Sequence, residues 1–469
     1  MKLRKPYLSG FAILFVAVVL MVTVNYLSRW NNNEAIIAHD VYAFYAYLPA
    51  TFIYHDLTLD FVEGSNYNEQ FILWPKITEE GKKVITASMG MSSLYMPFFL
   101  VAHIYASTGA YPATGYSPPY RAALIVSSVF FLILGLIYLR KLLLKYFSDM
   151  VTAIVLIMIP LTTNMLWYIV IDSAMSHVYN FALISIFLYH TDKWHEQITL
   201  KRSVYIGLLA GLIALIRPTN VLVLILFALW NIRSWQDFVQ RVLLFLRKWH
   251  LVMIMIVGFV LVWVPQMLYW KMQTGHLFYY SYPDDQGFFF GNPQIWNSFF
   301  SWRKGWLLYT PVMIFAITGI AVLRKSIPAL FIPVLVFTII NVYVISSWWD
   351  WWYGGGFGLR AYIDMYGVMS IPLAASLVWI LERKRWTKLA LILDFLLITA
   401  KSNFHYFQYH YVAIHWVAMT QEAYLDSFWR VSPSERFHDL IKNPDYVLAR
   451  KGIYKYENED PIDNQEENN

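Results

Sequence analysis

Residues 8–50 read LSGFAILFVAVVLMVTVNYLSRWNNNEAIIAHDVYAFYAYLPA. The first part, from Leu8 to Leu27, is a run of about 20 mostly apolar residues, long enough to cross the hydrocarbon layer of a bilayer as a helix. Lys2, Arg4 and Lys5 stand before it, as they would before a signal peptide. No small-residue cleavage site follows, so an uncleaved first helix is predicted. The second part is polar, acidic and aromatic. Glu34, His39 and Asp40 lie in it, with His55 and Asp56 shortly beyond, and acidic groups at a membrane are costly enough to be kept for a task.

The rest of the chain repeats the first pattern. Hydrophobic residues make up 58% of its 469 residues and charged residues only 14%, with a mean hydropathy of +0.45; no soluble domain of this length needs so apolar a core. An all-α polytopic membrane protein is expected. Further apolar runs at 121–139, 150–170, 177–191, 203–216, 219–232, 250–270, 305–323, 327–346, 363–381 and 386–401 bring the count to about 11 transmembrane helices. Residues 89–103 could span the membrane, dip into it or lie on it.

Lysine and arginine set the orientation. If 89–103 does not span, one set of loops gathers Lys2, Arg4, Lys5, Arg140, Lys141, Lys145, Lys193, Lys201, Arg202 and the later basic groups at 233–248, 324–325 and 383–388. That side holds about 19 basic residues against about 10 on the opposite segments before the C-terminal tail. The N-terminus is therefore placed in the cytoplasm and the C-terminus on the periplasmic or extracellular side, as in a bacterial inner (plasma) membrane protein. Residues 1–401 form the membrane domain. Its outer face carries a large first loop, 28–120, with juxtamembrane helices, and a second loop at 271–304. A C-terminal tail, 402–469, ends in about a dozen acidic and polar residues expected to be disordered. Inside, residues 233–249 mix basic and apolar types and suit an amphipathic surface helix. The net charge of +6 belongs to loops beside membrane lipids, and no nucleic acid partner is expected. Zero cysteines exclude disulfides, thiolate catalysis and Cys-ligated zinc.

Several polar residues sit where an apolar chain gives them few neutral roles. Asp40 lies in the aromatic cluster Tyr42, Phe44, Tyr45 and Tyr47; a partly desolvated carboxylate there could serve as a general base, or simply cap a helix. His39, His55 and Asp56 are types that could ligate a divalent metal ion, the one cofactor the chain suggests. Asp172 and His177, in IDSAMSHVYN at 171–180, form a second outer node. Arg217, in IRPTN at 216–220, needs a phosphate or an internal partner. Arg303 and Lys304, in SFFSWRKGWLLYTP at 298–311, could hold a phosphate or anchor to headgroups. In SSWWDWWYGGGFGLRAY at 346–362, the tryptophans suit an interfacial belt, while Gly354, Gly355, Gly356 and Gly358 let backbone amides approach an anion beside Arg360. Neither a Walker-type loop nor a dinucleotide-binding glycine turn occurs. Acidic residues are nearly missing from helix middles, Asp394 being the main exception, which weighs against an ion-coupled transporter.

The order YAFYAYLPA (42–50), SMGMSSLYMPFFLVAH (88–103), TTNMLWYIVIDSAMSHVYNFAL (162–183), GLLAGLIALIRPTN (207–220), SWRKGWLLYTP (301–311) and WWYGGGFGLRAY (351–362) resembles the integral-membrane C-type (GT-C) glycosyltransferases. That superfamily includes protein O-mannosyltransferases and the lipid A aminoarabinose transferase. The resemblance runs from the first helix to about Tyr424. It implies a polyprenyl-phosphate-linked sugar donor, a hydroxyl acceptor on a glycan, lipid or protein, and transfer with inversion on the outer face. By it, Asp40 is the catalytic base, with Asp172 and His177 assisting. Arg360, Arg303, Lys304 and Arg217, in falling order, hold the donor phosphate. Many members carry paired acids near the first helix, whereas here His39 precedes Asp40 and the other acids, Glu34 and Asp56, are more distant. The competing readings are a ligase or polymerase of lipid-linked oligosaccharides, and a flippase or transporter of lipid-linked sugars.

Overall fold

The computed structural model describes residues 7–64 and 75–457. The expectations for Lys2, Arg4, Lys5 and the acidic end at 458–469 lie outside the described residues, as does 65–74 of the first loop. Among the described residues the architecture is a bundle of helices with one two-stranded hairpin, Lys76–Ile77 paired antiparallel with Lys83–Val84.

Among the described residues, five helices are long and apolar enough to cross a membrane: Leu8–Asn31, Pro118–Leu143, Trp249–Thr274, Pro328–Ser346 and Arg360–Leu381. This falls short of the eleven spans expected, because several apolar runs are broken or short. The run at 150–170 divides into Asp149–Leu161 and Met165–Val170. Pro160 and the back-bonding hydroxyls of Thr162 and Thr163, which donate to the carbonyls of Met158 and Ile159, mark the break. The run at 305–323 is likewise split at Thr310 and Pro311, and the one at 219–232 is a 3₁₀ turn followed by the short helix Val223–Leu229. Ser176–Glu196 and Arg385–His410 are long but more polar. The second of these continues past the expected end of the membrane domain at 401.

Ser176–Glu196 is the axis of the bundle, with every residue from Ser176 to Leu188 buried. A helix buried all round needs close neighbours, and between apolar helices in lipid that closeness comes from small residues rather than from the hydrophobic effect. The crossing of Leu200–Ile216 with Trp249–Thr274 uses Gly207 and Gly211, where an added Cβ would meet the carbonyl oxygens of Met255 and Phe259 at 2.3 and 2.7 Å. Helix ends are also tied across the bundle. The Asp149 carboxylate accepts from the amides of Leu8 and Ser9 at 2.8 and 3.0 Å, satisfying free donors at the start of the first helix.

The ambiguous segment forms the helix Gly90–Tyr105, packed through Met91, Tyr95 and Phe99 against the bundle while Val101 and Ile104 remain exposed. In the first loop, the short helices Asp40–Tyr45 and Tyr47–Phe52 pack beside it. Residues 411–457 fold back over the same end of the bundle. There Ile414, Met419, Tyr424 and Phe437 join Tyr309 and Phe357 in one apolar cluster.

Candidate active site

Asp40 opens its helix immediately after His39, whose backbone is left-handed with φ 50° and ψ −128°. This turn aims the carboxylate across the bundle, where its Oδ2 accepts from Arg360 Nη2 at 2.9 Å. The two residues come from opposite ends of the sequence. The Asp40 side chain is 47% accessible to water. Tyr282 shares that setting, 43% exposed while within reach of the Asp40 and Arg360 charges. Burial pushes the Asp40 carboxyl up, but the charge and hydrogen bond of Arg360, helped by His177 and His39, outweigh it and hold the group below the ordinary carboxylate range.

Arg360 is delivered by the glycine loop. Tyr353, Gly354, Gly356 and Gly358 all have positive φ, a conformation that glycine adopts without the Cβ clash. At Gly356 a Cβ would also sit 2.6 Å from the Tyr168 hydroxyl. The loop is clamped by Tyr168, whose hydroxyl accepts from the Phe357 amide at 2.9 Å and donates to its carbonyl at 3.2 Å. Lys304 adds its ammonium, which donates to the carbonyl of Gly356.

A row of charges continues from there. A Cβ at Gly354 would lie within 4 Å of both Asp350 Oδ2 and Arg360 Nη2, and Asp350 also feels Lys304 and Arg303. Burial and the neighbouring Arg360 charge push the Lys304 ammonium well below an ordinary lysine. Burial pushes Asp350 up to about 7, against the attraction of Arg360 and Lys304. The sign for stability follows. The native state holds the Asp350 proton over a range in which the unfolded chain, with a value near 3.8, has lost it. Stability therefore falls as pH rises from about 4 to about 7 and stays low above. Asp350→Asn is expected to melt at a higher temperature than wild type at pH 8, with the gap closing toward pH 5. Parallel melting curves at both pH values would show that Asp350 is not the titrating group.

The other expected residues fall into distinct places. His177 is 3% exposed and its Nδ1–H donates to Asp364 Oδ1 at 2.9 Å. Asp364 Oδ2 accepts from Asn180 at 3.0 Å, Asn220 at 2.8 Å and Arg217 at 3.4 Å. Arg217 thus has an internal partner, and its guanidinium also lies 4.9 Å from the Tyr353 ring centre. Asp172 accepts from Trp167 Nε1 at 2.7 Å; burial, partly offset by that bond, pushes its carboxyl up. Arg303 is sandwiched between Trp352 and Tyr456, each ring 4.8 Å away.

Asp364 was missed by the sequence reading, which counted Asp394 as the main acid within a helix. Its signal was a lone carboxylate four residues after Arg360, at the head of an apolar run. Among the described residues no group of three or more His, Asp or Glu is placed to hold an ion. Asp56 instead accepts from the amides of Thr58 and Phe61 at 2.8 and 3.1 Å and closes a local turn. His55, like His39, has positive φ. A surface pocket lined by Thr58, Asp60, Gly81, Lys82, Lys83, Met272 and Gln273 shares no residue with the charged cluster.

No family model matches the sequence, and no curated protein does. Among solved structures the chain is similar to the archaeal oligosaccharyltransferase AglB from Archaeoglobus fulgidus in complex with an inhibitory peptide and a dolichol-phosphate. The identity is 12% and the TM-score 0.46, over 91% of this chain and 60% of that one. It is also similar to the apo form of the Archaeoglobus fulgidus oligosaccharyltransferase, at 12% identity and a TM-score of 0.47, over 92% of this chain and 57% of that one. The chain thus spans about three fifths of the length of the structures it matches.

Proposed function

We propose that the chain is a membrane-embedded glycosyltransferase of the C type, moving a sugar from a polyprenyl-phosphate donor to a hydroxyl acceptor on the outer face of a bacterial inner membrane. The observation that carries the reading is the 2.9 Å pair of Asp40 and Arg360 beside Lys304, at the end of an apolar helical bundle. It sets a water-accessible carboxylate next to a buried source of positive charge. Glycosyl transfer from a lipid phosphate needs both.

In this mechanism the acceptor O–H gives its proton to an Asp40 oxygen as the acceptor oxygen bonds to the anomeric carbon. The bond from that carbon to the phosphate oxygen breaks, and the phosphate leaves with the electron pair. Attack opposite the leaving group inverts the configuration. Arg360 is the first partner of the departing phosphate, as a planar donor suited to phosphate oxygens, with Lys304 contributing charge at the glycine loop. Arg303, stacked between rings, and Arg217, held by Asp364, support the site from further out. Asp364 fixes the ring of His177 and the guanidinium of Arg217 through one carboxylate. Asp172 is placed to tune the same end of the bundle, through Trp167.

The test is direct. Purified protein in nanodiscs is given a polyprenyl-phosphate sugar with candidate glycan, lipid and peptide acceptors, and release of free polyprenyl phosphate is followed. Acceptor-dependent release is expected. Saturable donor binding with no release under any acceptor, together with donor movement between leaflets, would favour the flippase reading instead.

A further inference from the structure

The helix Trp235–Arg247 lies at the other end of the molecule from the Asp40 cluster. Ser176–Glu196, 21 residues long and so roughly 30 Å, carries His177 at the cluster end and His195 at the far end. His195 Nε2 meets Arg241 Nη1 at 3.2 Å. Arg241 also donates to the carbonyls of Ala228 and Trp230 at 3.1 and 2.8 Å. It thereby closes the C-terminal carbonyls of Val223–Leu229 and fixes the helix to the bundle. Phe245 stacks on Phe227 on the same side, with ring centres 5.8 Å apart.

Away from that anchor, none of the helix's residues is buried. Trp235, Val239, Val242 and Leu246 recur at spacings of four, three and four, which puts them on one stripe. All four are exposed, Trp235 at 74% and Leu246 at 65%. Gln236, Gln240 and Arg247 share a separate exposed side with Leu243, 44% exposed. The helix starts with a capping box, in which the Asp237 carboxylate accepts from the amides of Arg233 and Ser234. Its one acid is thus committed to the backbone, while Arg233, Arg247 and Lys248 stay exposed. Only Lys248 separates it from Trp249–Thr274, a membrane-length helix whose Met253, Ile256, Val257, Val260 and Leu261 are exposed.

We infer that Trp235–Arg247 is an interfacial helix whose Trp235–Val239–Val242–Leu246 stripe inserts among the acyl chains and whose basic residues bind anionic lipid headgroups. Two observations select lipid as the occupant. The apolar stripe is joined to a membrane-length apolar helix through the single residue Lys248, and the exposed Arg233, Arg247 and Lys248 at its ends are cationic.

The absence of cysteine makes the test clean. Val242→Cys and Gln240→Cys are each spin-labelled in the full chain, in nanodiscs of zwitterionic lipid with or without an anionic fraction. The label at 242 should collide with oxygen several-fold more than with a water-soluble nickel chelate, and the label at 240 should show the reverse. Anionic lipid should deepen the 242 label, and Arg247→Gln with Lys248→Gln should abolish that response. Equal nickel access at both positions overturns the insertion. Spin–spin broadening at 242 would assign the stripe to a second copy of the chain, and shielding from both probes to a protein partner; either overturns the lipid assignment. An unchanged depth with anionic lipid would overturn the headgroup part.

Discussion

Asp40→Asn is expected to lower turnover by about 100- to 10,000-fold, the usual cost of losing a general base, while leaving donor binding nearly intact. The substitution keeps the shape of the side chain and its capacity to accept from Arg360, and removes only its ability to take the acceptor proton as a carboxylate. Initial rates of polyprenyl phosphate release by wild type and variant, with donor binding measured in parallel, separate the two effects. Turnover within a few-fold of wild type would remove Asp40 as the base. Loss of donor binding instead would recast it as a residue that positions Arg360. The group is held below the ordinary carboxylate range by Arg360, so it is ionised at neutral pH. In the ion pair seen here it is also a weak base. A donor phosphate that takes over Arg360 would weaken that hold and raise the basicity of Asp40 at the moment of need.

Arg360→Gln carries the second large effect. Removing one preorganised donor to developing negative charge typically costs about 100- to 1,000-fold in turnover, and here the same change weakens capture of the donor phosphate. Both kcat and kcat/KM should fall. The pH dependence gives a signature that simple misfolding would not. Arg360 favours the charged form of Asp40; without it the carboxyl titrates at a higher pH, and activity is lost sooner as pH falls. The acid limb of the kcat/KM profile should therefore move upward in the variant. A limb at the wild-type position, with reduced height only, would show that the 2.9 Å contact does not control Asp40 during turnover.

What could be read from sequence followed from the cost of polar atoms in an apolar chain. Asp40, Asp172, His177, Lys304 and Arg360 stood out because each interrupts or borders a long apolar run, and the structure gathers them at one end of the bundle. Their partners were less legible. Nothing in the local spacing says that Arg360 meets a carboxylate from the first loop, or that Arg217 and His177 share Asp364. Such pairings depend on how helices distant in sequence cross. Asp364 was hidden by its surroundings, since an acid inside an apolar run reads as an interruption until four donors are found around it. The five membrane-length helices fall short of the eleven expected spans for a related reason. The apolar runs at 150–170 and 305–323 are continuous in composition, but proline breaks both helices, joined in the first by backbone-bonding threonines. The metal reading rested on residue type alone, and Asp56 proved to be occupied by its own turn.

The Asp40–Arg360 pair joins two residues that are 320 positions apart in the chain. At roughly 5–20 residues per second of synthesis, Asp40 emerges on the order of 16–64 s before its partner exists. Arg303 waits again, for Tyr456 near the end of the described chain to complete its aromatic sandwich. The charged end of the molecule is thus the last part to be assembled during biogenesis. A ribosome stalled before codon 360 leaves a chain without the Asp40–Arg360 pair.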